Sequence, residues 1–184
     1  MPAPDPIETD RLTLRPIEPS DLDAYAPIFE DPEVMRYITN GEPQPRSRAE
    51  TAIEWSRSLF DERSIGIFVG IERATGTLIG DYLLIPIPHS GLGIQQHERH
   101  KRGPDIEIGY RLARSAWGKG YATEGAKAVI DYAVNGPPAL AHIVGVTELE
   151  NVASQRVLEK IGLTAQGLSD RYYDQTTALF EWRA

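Results

Sequence analysis

The stretch that decides the fold is IEIGYRLARSAWGKGYATE, which occupies residues 106–124. Its first seven residues alternate apolar with polar or small side chains, as a half-buried strand does. Gly118 and Gly120 then precede a helical pattern that extends to about Val134. The first N–H groups of a helix have no intrahelical partner, and glycine lets an anion approach the main chain. The junction therefore predicts an anion-binding loop, although the two glycines could equally serve only the geometry of the turn.

The glycine spacing excludes two common phosphate loops. A dinucleotide-binding fingerprint needs a third glycine three residues after Gly120, and that position is Thr123. A Walker loop needs Gly-Lys followed by Ser or Thr, and Gly118-Lys119 is followed by Gly120. If the loop binds phosphate, it belongs to another class.

The elements around this stretch define the fold class. The patterns predict strands at 12–16, 65–71, 78–87, 105–112 and 143–146, with a turn at 74–76 and a closing pair of strands that includes Tyr172, Tyr173, Leu179, Phe180 and Trp182. They predict helices from Ser20 to about Phe29, from Pro32 to Met35, after a capping box of Ser47 and Glu50, over 120–134, and from Asn151 to a stop at Gly162. Hairpin strands followed by strand–helix–strand–helix indicate an α+β fold with a mixed sheet rather than a doubly wound one.

Composition limits the functions that are possible. The chain has 184 residues, 41% of them hydrophobic, which suits a single domain spanning residues 1–184. It has no cysteine, which excludes disulfides and thiolate catalysis, and it begins without the pattern of a secretory signal, so we expect a cytoplasmic protein. No apolar run is long enough to span a membrane. The net charge of −8 argues against nucleic acid and suits cationic partners such as amines.

Three ordered motifs resemble one family. Residues 106–112 and 116–124 are similar to the acetyl-CoA motif of the GNAT N-acetyltransferase superfamily, with Trp117 where Arg or Gln is usual. Residues 151–163 resemble the Asn-x-x-Ser…Lys-x-Gly-Phe helix of the RimJ/RimL branch, which acetylates protein N-termini, with Leu163 in place of the usual Phe. Residues 8–16 and 31–37 resemble the opening of that branch. The resemblance covers nearly the whole chain except roughly residues 88–104.

The resemblance implies a fold, a donor and a set of site residues. It implies a mixed, mostly antiparallel sheet flanked by helices, with splayed strands that hold acetyl-CoA and release coenzyme A without a metal. It assigns the base to Glu107 and the acid to Ser154, with Tyr172 or Tyr173 in reserve. It places a main-chain N–H of Leu112 or Ala113 against the developing oxyanion. The residues it assigns to acetyl-CoA are Leu112, Ala113, Arg114, Trp117, Gly118, Lys119, Gly120, Tyr121, Ala122, Thr123 and Asn151.

Several readings stay open from the residues themselves. A carboxylate in a partly buried strand can deprotonate an amine, directly or through water, but alternation alone would point Glu107 to solvent. Asn151 could simply cap its helix, and Ser154 could be an ordinary first-turn residue. Phe29, Tyr37 and Trp55 could belong to the core or line an acceptor pocket.

The acceptor is the least determined part of the prediction. We expect a primary amine, either a protein N-terminus or a small molecule such as a polyamine or an antibiotic, bound by a monomer or a homodimer. A non-catalytic acyl-CoA-binding module is an alternative, and a nucleotide-binding regulatory domain is disfavoured by the glycine spacing. Residues 88–104 are rich in basic residues and form either a hairpin extension or an acceptor loop. His97 and His100 lack the spacing of a zinc helix, and His142 is expected to support a strand.

Overall fold

The computed structural model describes residues 4–87, 89, 90 and 105–184. The strands in this part of the chain are β1 (Ile7–Glu8), β2 (Leu12–Pro16), β3 (Gly66–Glu72), β4 (Thr77–Pro86), β5 (Ile106–Leu112), β6 (His142–Thr147), β7 (Thr164–Ser169) and β8 (Thr177–Arg183). The helices are α1 (Leu22–Glu30), α2 (Pro32–Met35), α3 (Arg46–Arg63), α4 (Tyr121–Asn135) and α5 (Val152–Lys160).

The strands form one sheet in the order β1-β2-β3-β4-β5-β6-β8-β7. Neighbouring strands are antiparallel except β5 and β6, which are parallel. The crossover between these two strands contains α4, as a parallel connection requires. This mixed, mostly antiparallel sheet confirms the predicted α+β fold class.

The two faces of the sheet carry separate apolar clusters. In β3, Ile67 and Val69 pack with α1, α2 and the N-terminal part of α3, whereas Phe68 packs with α4, α5 and the C-terminal part of α3. Side chains alternate between the faces of a strand, so the clusters lie on opposite sides of the sheet. In β5, the even-numbered Ile106, Ile108 and Leu112 join the cluster under α4. Odd-numbered residues of β5 therefore point to the α1 side.

A buried ion pair on the α1 side fixes β4, β5 and α1 relative to one another. Asp81 of β4 accepts hydrogen bonds from Arg111 of β5 and from the Tyr25 hydroxyl of α1. Arg111 Nη2 also donates to the Tyr25 hydroxyl at 2.8 Å. The Arg111 guanidinium lies 3.7 Å from the ring centroid of Phe29, which is therefore a core residue.

Two predicted details are wrong. The capping box does not form, because α3 begins at Arg46 with extended Pro45 as its N-cap, which places Ser47 inside the first turn. Tyr172 and Tyr173 lie between β7 and β8 and not in a strand, although Tyr172 forms an isolated bridge with His89. The helix expected from Ser20 is present, with a 3-10 first turn at Pro19–Asp21 before α1. Except for His89 and Ser90, the basic 88–104 segment lies outside the described residues, as do His97 and His100.

Candidate active site

The site begins where β5 and β6 separate. Within the described residues the register joins these strands at one position, Glu107 opposite Val144. β5 continues to Leu112 and β6 to Thr147, so a cleft opens between them beyond that pair. Both strands run toward the cleft, because they are parallel.

Main-chain groups of β5 face this cleft. Ala113 N–H donates to Ile79 C=O at 2.8 Å, and in an antiparallel pair alternate residues bond to the same neighbour. The odd-numbered residues of β5 therefore bond to β4. Tyr110 and Leu112 direct their N–H and C=O groups toward β6. The expectation of an oxyanion donor is consequently wrong for Ala113, whose N–H is occupied, and stays a prediction for Leu112.

The glycine loop follows at the same end of β5. Gly118 and Gly120 have φ of +72° and +83°, in the left-handed region that glycine adopts without strain. A Cβ at Gly118 would meet no atom of the described residues within 4 Å, so the loop surface is open. Glu124 N–H makes a bond to Gly120 C=O at 3.1 Å. The N–H groups of Tyr121, Ala122 and Thr123 precede that bond in the first turn, where a helix binds anions.

Gly125 and Tyr82 set the position of this helix on the sheet. A Cβ at Gly125 would lie 2.2 Å from Cζ of Tyr82, so only glycine allows this approach. The Tyr82 hydroxyl donates to Tyr121 C=O at 2.8 Å. The buried Tyr82 of β4 therefore fixes the position of the first turn of α4 on the sheet.

Glu107 is buried at the apex of the cleft. Only 8% of its surface is exposed, which contradicts the solvent-facing alternative. Its carboxylate accepts hydrogen bonds from the Tyr173 hydroxyl at 2.5 Å and from Val146 N–H of β6. Burial raises the pKa of Glu107 to about 7, and the two hydrogen bonds only partly oppose this effect.

Ser154 lies on the other side of the sheet. Its Oγ is 2.7 Å from the hydroxyl of Tyr110, an even-numbered residue of β5 that points away from Glu107. Asn151 caps α5, because its Oδ1 accepts from Ser154 N–H at 3.1 Å. Burial raises the pKa of Tyr110 to about 12, so its hydroxyl keeps its proton at neutral pH. The cleft thus lies between a carboxylate and a pair of hydroxyls.

Three further predicted residues flank the cleft. The half-exposed Trp117 donates from Nε1 to Leu112 C=O at 2.8 Å, so it braces the end of β5. Arg114 Nε is 3.4 Å from Asp31 Oδ2 at the start of α2. Lys119 is exposed on the loop.

The two tail tyrosines contact different carboxylates. The hydroxyl of the fully buried Tyr172 donates to Asp105 Oδ2 at 2.7 Å. Asp105 also lies 3.3 Å from Nδ1 of His142, which is in β6 as expected. Of the two reserve acids, the structure brings only Tyr173 to Glu107.

Comparison with known proteins identifies the family. Residues 11–164 match the family model described as acetyltransferase (GNAT) domain. The chain belongs to the GNAT family. It is 33% identical over 170 residues to the uncharacterized N-acetyltransferase YoaA of Bacillus subtilis, covering 92% of this chain and 88% of YoaA. It is 30% identical over 159 residues to FsC-acetyl coenzyme A-N(2)-transacetylase of Aspergillus fumigatus, covering 86% of this chain and 64% of that protein.

Solved GNAT structures share the fold. An acetyltransferase from Agrobacterium tumefaciens superposes with a TM-score of 0.77 at 24% identity, covering 100% of this chain and 97% of that one. RimL, a ribosomal alpha-N-protein acetyltransferase in complex with coenzyme A, gives 0.74 at 16% identity, covering 97% and 98%. The family match and the N-acetyltransferase relatives make the protein an acetyl-CoA-dependent N-acetyltransferase.

Sequence reasoning missed two polar contacts of this site, Tyr110 with Ser154 and Arg11 with Glu124. Tyr110 continues the alternation of Ile106 and Ile108 and looks like a core residue. Arg11 and Glu124 meet across 113 residues, and no local pattern could pair them.

Among residues 4–87, 89, 90 and 105–184, no helix is long and apolar enough to cross a membrane, and no group of three acidic, His or Cys residues is arranged to hold a metal.

Proposed function

We propose that the enzyme transfers the acetyl group directly to a primary amine in a ternary complex, with Glu107 as the base and Ser154 as the acid. The observation that carries this proposal is the buried carboxylate of Glu107 at the point where β5 and β6 separate. A base is most effective when its pKa is close to the working pH, and the pKa of Glu107 is raised to about 7.

The residues around the loop fit the donor. The open surface at Gly118 and the first-turn N–H groups of α4 suit a pyrophosphate, and the main-chain groups of Tyr110 together with the N–H of Leu112 suit an amide-containing arm. Acetyl-CoA supplies a thioester whose sulfur must gain a proton when the acetyl group leaves.

The two sides of the cleft divide the proton transfers. On the α1 side, the Glu107 carboxylate accepts a proton from the acceptor ammonium, and two hydrogen bonds leave lone pairs of the carboxylate available for it. On the α5 side, Ser154 Oγ, which is hydrogen-bonded to the Tyr110 hydroxyl at 2.7 Å, gives a proton to the sulfur as the C–S bond breaks, and the second proton that the amine loses on becoming an amide replaces it through solvent. The base and the acid act on different protons, because they lie on opposite sides of the cleft.

The acceptor is proposed as a primary amine of either class. RimL is named for acting on a ribosomal protein, and the Aspergillus relative is named as an N(2)-transacetylase. Thiol release from acetyl-CoA should be measured against N-terminal peptides, polyamines and aminoglycosides, and the chain adds no background because it has no cysteine. No turnover with any primary amine in this panel would contradict the proposal.

Two matched variants test the base. Glu107→Gln should lower kcat/KM at pH 7 by about a hundredfold or more while acetyl-CoA affinity is kept. Glu181→Gln is the control, because Glu181 is also 8% exposed but is paired with Arg171 and Arg183. Equal activity of Glu107→Gln and wild type at pH 7 would assign the base to water or to another carboxylate.

A further inference from the structure

The N-terminal residues Thr9 and Arg11 form hydrogen bonds with Glu124 in the first turn of α4. Thr9 Oγ1 and Arg11 N–H donate to Glu124 Oε1 at 2.7 and 2.9 Å. Arg11 Nε and Nη2 reach Glu124 Oε2 at 2.7 and 2.5 Å. The Arg11 guanidinium also stacks 4.4 Å from the ring centroid of Tyr121. Only an arginine side chain can donate to one carboxylate from two nitrogens of a planar group in this way.

Arg11 also touches the glycine loop itself. Its Nη1 donates to Lys119 C=O at 2.8 Å. The Lys119–Gly120 peptide is trans, and in a trans peptide the C=O and the following N–H point in opposite directions. By holding the Lys119 carbonyl on one side, Arg11 turns Gly120 N–H to the other side. This orientation of the Lys119–Gly120 peptide goes with a φ of +83° at Gly120, which glycine adopts without strain.

Arg11 also offsets an unfavourable charge. Glu124 lies in the first turn of α4, where its carboxylate would repel a phosphate bound by the loop. Burial opposes ionisation of Glu124, but hydrogen bonds from Thr9 and Arg11 outweigh it and hold its pKa below the usual value. The carboxylate is therefore ionised at neutral pH and paired with the Arg11 guanidinium.

We infer that Arg11 is a positioning residue for acetyl-CoA, because it binds Glu124 and Lys119 C=O together and so orients Gly120 N–H toward the anion before the donor arrives. This inference rests on the proposal that the Gly118–Thr123 loop holds the pyrophosphate. It assigns a function to the Thr9-Asp10-Arg11 motif, which lies outside the loop in sequence.

The test uses two probes, coenzyme A and 3′-dephospho-coenzyme A, in calorimetric titrations. Arg11→Met keeps much of the apolar stem and removes the guanidinium that bonds to Glu124 and Lys119 C=O. It should raise the Kd for both probes about tenfold. In turnover, the KM for acetyl-CoA should rise much more than kcat falls. The control is Arg46→Met, whose side chain is 47% exposed against 46% for Arg11 and is paired with Asp23, and which should leave both Kd values unchanged.

Two outcomes of the Arg11→Met titrations overturn the inference. An unchanged Kd for both probes would leave Arg11 with a purely structural role. A loss for coenzyme A without a loss for the dephospho form would show that Arg11 binds the 3′-phosphate directly.

A second variant keeps the inference testable if Arg11→Met does not fold. Glu124→Gln keeps the shape of the side chain but removes the charge that anchors Arg11. Positioning predicts that its Kd for coenzyme A rises several-fold. If Glu124 acted only as a negative charge near the phosphates, its removal would lower the Kd instead, which would overturn the inference.

Gly120→Val separates the two proposals. In a folded variant, a branched side chain at this left-handed position should weaken coenzyme A binding by well over tenfold. Unchanged affinity would mean that the loop is not the pyrophosphate site, whatever Arg11→Met does. Weakened affinity in Gly120→Val together with normal affinity in Arg11→Met would leave the site in place and reject only the role of Arg11.

Discussion

Substitution of the predicted base should make the protein more stable at alkaline pH. The pKa of Glu107 is raised from 4.5 to about 7 by burial, so the folded state holds a proton that the unfolded state has lost between these values. The stability that depends on this proton is fully present below about pH 4.5 and is lost as the pH rises through about 7. Glu107→Gln is neutral at every pH and escapes this loss.

The size of the effect follows from the two pKa values. Each pKa unit corresponds to about 1.4 kcal/mol, so ionised Glu107 destabilises the folded state by about 3 kcal/mol at pH 8 and by less than about 1 kcal/mol at pH 5. A glutamine satisfies the donors Tyr173 and Val146 less well, which costs about 1 kcal/mol at both pH values. The variant should therefore match the wild type at pH 5 and exceed its free energy of unfolding by about 2 kcal/mol at pH 8.

Urea unfolding at constant ionic strength from pH 5 to pH 8 measures this difference, provided that the m-value is unchanged. Glu181→Gln supplies a control of opposite sign. Despite burial, hydrogen bonds from Arg183 and Arg171 hold the pKa of Glu181 below its usual value of 4.5, so that variant should be less stable than the wild type by a nearly constant amount from pH 5 to pH 8, with the difference shrinking only below that range. If the difference between Glu107→Gln and the wild type does not change with pH, the raised pKa is wrong.

Three further predictions follow from buried contacts. Gly125→Ala should lower the free energy of unfolding by about 1–3 kcal/mol, because its Cβ would overlap the Tyr82 ring, and an unchanged thermal midpoint would contradict that packing. Asp81→Asn should cost about 3 kcal/mol in urea unfolding, because it leaves the Arg111 charge buried without a counter-charge, and a near-neutral effect would contradict this. Tyr173→Phe removes a hydrogen bond that lowers the pKa of Glu107, so the acidic limb of the pH profile of kcat/KM should move to higher pH than in the wild type. An acidic limb at the wild-type pH would contradict this prediction.

Elements with strong local patterns could be predicted from the sequence. The alternation in β3, the proline at the start of α2 and the Asn151 cap of α5 each depend on neighbours within a few residues. The failures arise where distant or competing geometry decides. Ser47 has the residue type of a cap, but the extended conformation of Pro45 starts α3 earlier.

The polar contacts of the candidate site divide in the same way. The glycine loop is a local feature, and its left-handed residues could be anticipated from the two glycines. The bonds from Arg11 to Glu124 and from Tyr173 to Glu107 join residues far apart in sequence. Burial of Glu107 likewise depends on how the β7–β8 turn covers β5, which alternation along a single strand cannot report.

The separation of β5 from β6 leaves main-chain groups of β5 unpaired and brings a buried carboxylate to the candidate site. A continuous parallel ladder would pair Tyr110 and Leu112 with β6, and their main-chain groups could not bind a ligand. Where the ladder stops, Val146 N–H bonds to the side chain of Glu107 rather than to a strand, and this contact holds a carboxylate in an apolar setting. Tyr173, which completes the contact, has a φ of +60° that a tyrosine rarely adopts. The backbone preference of Tyr173 is thus overridden at the residue that donates to the predicted base.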